Sequence, residues 1–217
     1  MFNFSSARDH MVESQIRTSD VTDLNVLKAF RGIKREDFVP KSQQALAYGD
    51  AHVQLDEGRL MMRPRDFAKM IQAADIAPTD VVLDIACARG YSTAVLAQLG
   101  ETVVGLEDND EAVARATEQL VQADVTNAAV VKGDLKSGAS EHGPFNVIFV
   151  NGAVSEVPKT WFDQLANEGR LVCLVQNGPM GRVCVYTKAG DTVGERVIFD
   201  AAAPTLPGFV AEPEFVF

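Results

Sequence analysis

The sequence is short of cysteine, short of basic residues, and without a long apolar run. Its three cysteines, Cys87, Cys173 and Cys184, show no C-x-x-C spacing. That argues against a disulfide framework or a cysteine zinc site, and it fits a reducing, cytoplasmic setting. The three thiols read as small buried hydrophobes. Lys and Arg number 20 against 30 Asp and Glu, a net charge of −10. Such a field repels phosphate backbones, so a nucleic-acid partner is not expected. No stretch supplies the ~20 apolar residues that cross a bilayer, so no membrane partner is expected either. The opening MFNFSSARDHMVESQIR lacks the apolar core of a signal peptide. His10, His52 and His142 stand in no motif, and no metal is expected. Nothing in the sequence points to an oligomeric state.

What is present is the composition of a globular protein, 47% hydrophobic and 23% charged over 217 residues, which suits one domain with a full core. The chain is organised around Val81–Leu99, VVLDIACARGYSTAVLAQL. Val81–Ile85 is β-branched and mostly apolar, as expected of a strand buried on both faces. A loop of small residues follows, Ala86-Cys87-Ala88-Arg89-Gly90. Tyr91–Leu99 then reads as a helix, with Ser92 and Thr93 near its start and Gly100 beyond its end. Strand, small-residue loop and helix aim free backbone N–H groups at a ligand. A second strand, Thr102–Leu106, ends at Glu107, where a carboxylate in a doubly wound sheet can accept hydrogen bonds from a ribose. The stretch therefore predicts a nucleoside-cofactor pocket.

Before this unit, residues 5–17 and 22–31 read as helices, with cap chemistry from Asp20 and Thr22 and with Gly32 after the second. Ser42–Tyr48 suits a short helix, and Asp50–Arg59 a hairpin or loop. Arg65–Ala74 is a helix with Pro64 in its first turn. After Glu107, Asp110–Ala123 is a helix with Asp110 as its cap. Strands follow at Ala129–Lys132, Phe145–Val150 and Arg170–Val175, with a short helix at Thr160–Ala166. Gly181–Thr187 and Glu195–Phe199 suit a closing antiparallel pair, and Ala201–Phe217 irregular coil. The alternation predicts an α/β fold with a mostly parallel, doubly wound sheet. Ligands of such sheets lie beyond the carboxyl ends of the strands. The candidate residues Asp84 to Gly90, Glu107-Asp108, Gly133-Asp134 and Asn151-Gly152 are all expected there.

Several stretches, in order, resemble the protein-L-isoaspartate O-methyltransferase family. They are Met11-Val12 with Gln15-Ile16-Arg17, Phe38-Val39-Pro40, Ala47-Tyr48, Val82-Leu83-Asp84, Gly90-Tyr91, Ala94–Ala97, Gly133-Asp134, Phe145 with Val147-Ile148, Val157-Pro158, and Gln164-Leu165 through Gly169–Val172. The tail, Phe199–Ala201, Leu206–Phe209 and Phe215–Phe217, resembles a divergent bacterial branch. The resemblance implies a Rossmann-like, seven-stranded methyltransferase fold with S-adenosylmethionine as cofactor. It implies methylation of the free carboxylate of isoaspartyl residues in damaged proteins, so the partner is a protein or peptide. It also implies a single domain over 1–217, with a helical, substrate-side segment at 1–78 and a cofactor-binding core at 79–217. The cofactor-binding residues it implies are Asp84, Ala86, Cys87, Ala88, Gly90, Glu107, Asp108, Gly133, Asp134, Leu135 and Asn151. Glu107 would accept the ribose hydroxyls, and Asp134 the adenine amino group.

Two stretches depart from the family pattern. Ala86 and Ala88 stand where the family has glycines, at a cost of about 1–2 kcal/mol per residue if the backbone there is left-handed. Leu60-Met61-Met62-Arg63-Pro64 replaces a Thr-Ile-Ser-type stretch whose hydroxyls lie near the substrate carboxylate. Met62, Arg63 and Arg65 are the substrate-side candidates, with a solvated helix start as the alternative for the arginines. Arg89 either pairs with a cofactor carboxylate or turns to solvent. No residue is assigned as catalytic, because an aspartyl-type carboxylate of pKa ~3.9 is already ionised and needs no base. Two other readings compete. One is a silent or altered relative that binds the cofactor or a partner, with a different methyl acceptor. The other is an NAD-dependent oxidoreductase, disfavoured by the lack of a full G-x-G-x-x-G.

Overall fold

A computed structural model of the chain describes residues 3–56 and 58–210. The N-terminal third is helical. α1 spans Phe4–Met11 and continues without a break through a wide turn, Val12–Ile16, and a tight one, Arg17–Ser19. α2 spans Leu24–Gly32, and its cap is Asp23, whose carboxylate accepts the N–H groups of Asn25 and Val26. Asp20 and Thr22, expected as caps, do other work. Asp20 takes the left-handed conformation (φ 64°) that ends the first helical stretch, and Thr22 donates its N–H to Gln72 Oε1 at 2.7 Å. The segment 42–48 is a tight 3₁₀ turn, Lys41–Leu46, rather than an α-helix.

A small antiparallel hairpin follows, β1 (Val53–Gln54) and β2 (Leu60–Met61), with Val53 opposite Met61. It leads into α3, Pro64–Ala74, which buries Phe67, Ala68, Met70, Ile71 and Ala74 along one face. Each large apolar side chain buried this way contributes ~1.5–3 kcal/mol. Phe67 is the hub of this packing. Its ring lies 5.5 Å from Phe30 of α2 and 5.5 Å from Phe149 of the main sheet. It also lies 5.7 Å from Tyr91, at the start of the helix that follows the central loop. The hairpin and helices are thereby fixed against the strand ends.

The remaining strands are β3 (Val81–Ile85), β4 (Thr102–Glu107), β5 (Ala128–Lys132), β6 (Phe145–Val154), β7 (Leu165–Val175), β8 (Gly181–Ala189) and β9 (Thr192–Ala201). They form one seven-stranded sheet in the order β5-β4-β3-β6-β7-β8-β9. The pairs from β5 to β7 are parallel, and those of β7 with β8 and β8 with β9 are antiparallel. Helices α4 (Tyr91–Leu96), α5 (Asp110–Gln122) and α6 (Lys159–Asp163) connect the parallel strands. Alternate residues of the central strands feed two cores. Val82, Val103, Val147 and Phe149 join the helices of the N-terminal third, while Leu83, Leu106, Ile148 and Val150 join Trp161 and Leu206. This period of two is why the strands read as continuous apolar runs.

Most expected elements lie within a few residues of their observed bounds. α5 is capped by Asn109, whose side chain accepts the N–H of Ala112, and not by Asp110. α4 ends at Leu96, and 97–99 form a turn. β6 runs four residues past Val150, so Asn151 and Gly152 lie inside the strand rather than beyond it. The extension is held by chain 203–209, where the Leu206 N–H donates to the Ala153 carbonyl at 2.8 Å. Residues 202–210 are otherwise irregular as expected, and 211–217, with Phe215-Val216-Phe217, lie outside the described residues. Among the described residues no helix is long and apolar enough to cross a membrane, and no group of His, Cys, Asp or Glu is placed to hold a metal.

Candidate active site at the strand ends

β3 delivers Asp84 into the interior, where it is fully buried. Its Oδ2 accepts Ser92 Oγ at 2.7 Å and Thr93 Oγ1 at 2.6 Å, and its Oδ1 accepts Asn151 Nδ2 at 2.5 Å. Burial is the dominant influence and raises the Asp84 pKa to about 6, against the lowering effect of these three donors. Ser92 and Thr93, in the first turn of the helix, thus serve as anchors for Asp84. The N-cap position of α4 is Gly90 (φ 85°), which has no capping side chain.

Both alanines of the loop are left-handed, Ala86 at φ 59° and Ala88 at φ 54°. The glycine-type loop shape is retained without the glycines. Cys87, between them, is buried, and a Cβ on Gly105 would lie 3.0 Å from its Sγ. Burial, helped by Asp84 and Glu107, pushes its thiol pKa well above the ordinary value, so it is a packing residue rather than a thiolate.

Glu107, at the end of β4, is also fully buried. Its Oε1 accepts the Ala88 N–H at 2.6 Å, which ties β4 to the loop. Most of the rest of the carboxylate is covered by Arg59, with the Asp108 N–H 3.4 Å from Oε2. Arg59 Nε lies 3.1 Å from both oxygens, and Nη2 lies 2.9 Å from Oε2. Arg59 Nη2 also donates to Asp108 Oδ2 at 2.8 Å. The hairpin tip is tied down again by Asp56, which meets Arg89 at 2.7 Å and Arg115 at 3.0 Å. These cations hold the Asp56 carboxyl below the usual range, with the Arg89 hydrogen bond the largest cause. Arg89 therefore does not turn to open solvent; paired with Asp56, it lines the pocket beside the loop.

A narrow, partly open pocket lies between the loop and the hairpin, lined by Ala86, Cys87, Ala88, Arg89, Ser92 and Asn151 and by Leu60, Met61 and Met62. Glu107 and Asp134 do not line it, contrary to the shared cradle the sequence suggests. Arg59 caps the Glu107 carboxylate and lines a separate small pocket on the other side of Ala88 and Arg89, with Asp56 and Ala112. Asp134 lies at the surface, with its Oδ1 accepting the Ser137 N–H at 2.7 Å and the Ser137 hydroxyl at 2.8 Å. The Gly133 N–H donates to the Glu107 carbonyl at 2.9 Å. Leu135 is buried, and its carbonyl accepts Trp161 Nε1 at 2.9 Å.

Of the substrate-side candidates, Met62 lines the cavity. Its carbonyl accepts buried Arg35 Nη2 at 2.5 Å, which pins the segment. The Arg63 N–H donates to His52 Nδ1 at 3.1 Å, and the other ring nitrogen of His52 faces the Ala202 carbonyl at 2.9 Å. His52 thus bridges the Arg63 N–H and the Ala202 carbonyl through its two ring nitrogens. The Arg63 and Arg65 side chains turn to Asp66, at 2.5 Å and 3.8 Å, and neither lines the cavity. Arg59 was not singled out from the sequence, where it reads as the end of a polar hairpin. Its partner lies 48 positions away, and local patterning carries no signal for such a contact.

Residues 6–203 match the family model described as protein-L-isoaspartate(D-aspartate) O-methyltransferase. The chain belongs to that family. A protein-L-isoaspartate O-methyltransferase from Methanoculleus marisnigri is 39% identical over 168 residues, covering 77% of this chain and 76% of its own. One from Roseiflexus is 30% identical over 206 residues, covering 95% of this chain and 94% of its own. A solved protein-L-isoaspartate O-methyltransferase superposes with a TM-score of 0.80 at 25% identity, over 94% of this chain and 67% of that one. A Plasmodium falciparum structure, described as a beta-aspartate methyltransferase in complex with S-adenosyl-L-homocysteine, has a TM-score of 0.77 at 18% identity, over 95% of this chain and 99% of that one. At that identity it shows the fold alone. Family membership sets aside the oxidoreductase reading.

Proposed function

We propose that this chain is an S-adenosylmethionine-dependent O-methyltransferase acting on the free carboxylate of isoaspartyl residues in proteins and peptides. Family membership supports the reaction class. The observation that carries it to this site is the loop: Ala86 and Ala88 hold left-handed backbone at φ 59° and 54°. Strain of about 1–2 kcal/mol per residue persists where surrounding structure enforces it, and such strain clusters at ligand sites.

The residues fit the cofactor in part. The cavity walled by Ala86, Ala88, Ser92 and Asn151 suits the amino-acid end, with Asp84 bracing the floor. The nucleoside end needs the Glu107 carboxylate, which Arg59 covers. Glu107 with Asp108 is assigned to the ribose, and Asp134, Gly133 and Leu135 to the base.

When bound, the cofactor supplies an electrophilic methyl group on a sulfonium. The contribution of the chain is to hold the acceptor carboxylate and exclude water. Leu55, Leu60, Met61, Met62 and Phe67 give the cavity an apolar wall. That wall strengthens attraction between a carboxylate and a sulfonium relative to water. Met62 is the wall residue nearest in sequence to the acceptor-side arginines, and Arg63 and Arg65 would draw a carboxylate toward the entrance. Residues 1–78 form the substrate-side segment and 79–217 the cofactor core. The free thiols Cys87, Cys173 and Cys184 support a cytoplasmic setting.

The test is transfer of a labelled methyl group to an isoaspartyl peptide, with the matching aspartyl peptide as control. Transfer confined to the isoaspartyl peptide is expected. Cofactor binding without transfer to either peptide would favour the altered relative, for which the hydroxyl-free stretch Leu60–Met62 is the structural argument.

A further inference from the structure

The contact between Arg59 and Glu107 goes beyond the family reaction, although its meaning rests on the cofactor reading above. A carboxylate has about four acceptor positions. On Glu107 one is taken by the Ala88 N–H at 2.6 Å, one is approached by the Asp108 N–H at 3.4 Å, and the rest face the Arg59 fork, at 2.9 to 3.1 Å. No acceptor is left for a ribose diol. Arg59 is nearly enclosed, with 5% of its side chain exposed. It therefore fills the space a nucleoside needs to reach Glu107.

The surroundings allow this contact to open. Arg59 sits on a hairpin of two-residue strands that pairs with nothing in the main sheet. Besides Arg59, the polar ties of its tip include the Asp56 pairs with Arg89 and Arg115, which are partly exposed and so weak. Asp108, 44% exposed, already accepts Arg59 Nη2 at 2.8 Å. It offers the guanidinium an outward partner, so release from Glu107 leaves the cation paired, while the carboxylate keeps the Ala88 and Asp108 N–H groups. The Ala88–Glu107 bond would remain and keep the loop in shape.

We propose that Arg59 is a latch on the nucleoside half of the site, holding Glu107 closed in the ligand-free chain and moving out toward Asp108 when the cofactor enters. The latch lowers cofactor affinity, because neutral ribose hydroxyls must replace a charged, two-pronged partner. Cofactor binding is then coupled to movement of the hairpin that carries Leu60 and Met61 into the acceptor side of the cavity. Occupancy and acceptor access would open together.

The test is calorimetric titration of S-adenosylhomocysteine into the full chain and its Arg59→Gln and Arg59→Lys variants, with melting temperatures read with and without ligand. Arg59→Gln is expected to bind at least tenfold tighter than wild type. It should melt lower when ligand-free and show the larger ligand-induced rise. Arg59→Lys keeps the charge but loses the fork, and should fall between. It also serves as the readout if Arg59→Gln does not fold. Equal or weaker binding by the variants would overturn the latch while leaving the cofactor reading intact. Binding by neither wild type nor variants would overturn the cofactor reading and the latch with it. Binding by Arg59→Gln alone would support both.

Discussion

Glu107 Oε1 accepts the backbone N–H of Ala88 at 2.6 Å, so one carboxylate both shapes the central loop and faces the place assigned to a ribose. The same group neutralises Arg59 at 2.9 Å in a buried pair. Removing it touches fold and ligand at once. Glu107→Ala is expected to lower unfolding free energy by about 3–5 kcal/mol, the usual result of stripping one partner from a buried ion pair. Urea denaturation monitored by circular dichroism measures it. A loss below ~1 kcal/mol would show that the pair contributes little to stability.

The loop alanines allow a prediction of opposite sign. Ala86→Gly and Ala88→Gly each relieve left-handed strain of ~1–2 kcal/mol and add roughly 0.5–1 kcal/mol of chain entropy cost. Each is expected to raise stability by about 0.5–1 kcal/mol in the same denaturation experiment.

Asp84 makes part of the stability depend on pH. Its folded pKa is about 6 because burial disfavours the charged form, whereas an unfolded aspartate titrates near ~3.9. Between those values the folded chain holds more protons than the unfolded one, so this contribution falls as pH rises from about 4 through about 6. At ~1.4 kcal/mol per pH unit the loss by pH 7 is on the order of 3 kcal/mol. Asp84→Asn cannot ionise, and its amide can still face Ser92, Thr93 and Asn151 through rotated hydroxyls. The wild-type-minus-variant difference in unfolding free energy should therefore decline between pH 4.5 and 7. A flat difference would show that Asp84 titrates normally.

Gly152 marks where β6 bends next to Asn151. Its φ is +142°, and an added Cβ would lie 2.7 Å from the Leu206 side chain. Strain and overpacking at ~1–3 kcal/mol each predict that Gly152→Ala loses about 2–5 kcal/mol. The affinity for S-adenosylhomocysteine should fall as well, because Asn151 braces both Asp84 and the Ile85 carbonyl. Thermal melting and calorimetry on one preparation report both.

Local pattern was enough for the alternation of strands and helices, the loop after Val81–Ile85 and the acid after β4. Apolar period and small-residue composition are properties of neighbouring positions, and both survive in a linear reading. The order of the family-like stretches was legible for the same reason. Caps were less so: Asp23 and Asn109 took roles expected of Thr22 and Asp110, because several polar residues near a helix start compete and packing selects among them.

The state of the site was decided by contacts between distant residues. Arg59 meets Glu107 across 48 positions, Arg89 meets Asp56 across 33, and Asn151 meets Asp84 across 67. Each pairs charged or polar groups that could as well have been solvated at the surface, and only the folding of the hairpin over the strand ends removes that option. Residue types along the chain were sufficient to specify the sheet and the place where a ligand would lie. Whether that place stands open depends on burial, which turns Arg59 from one more surface cation into the partner of an enclosed carboxylate.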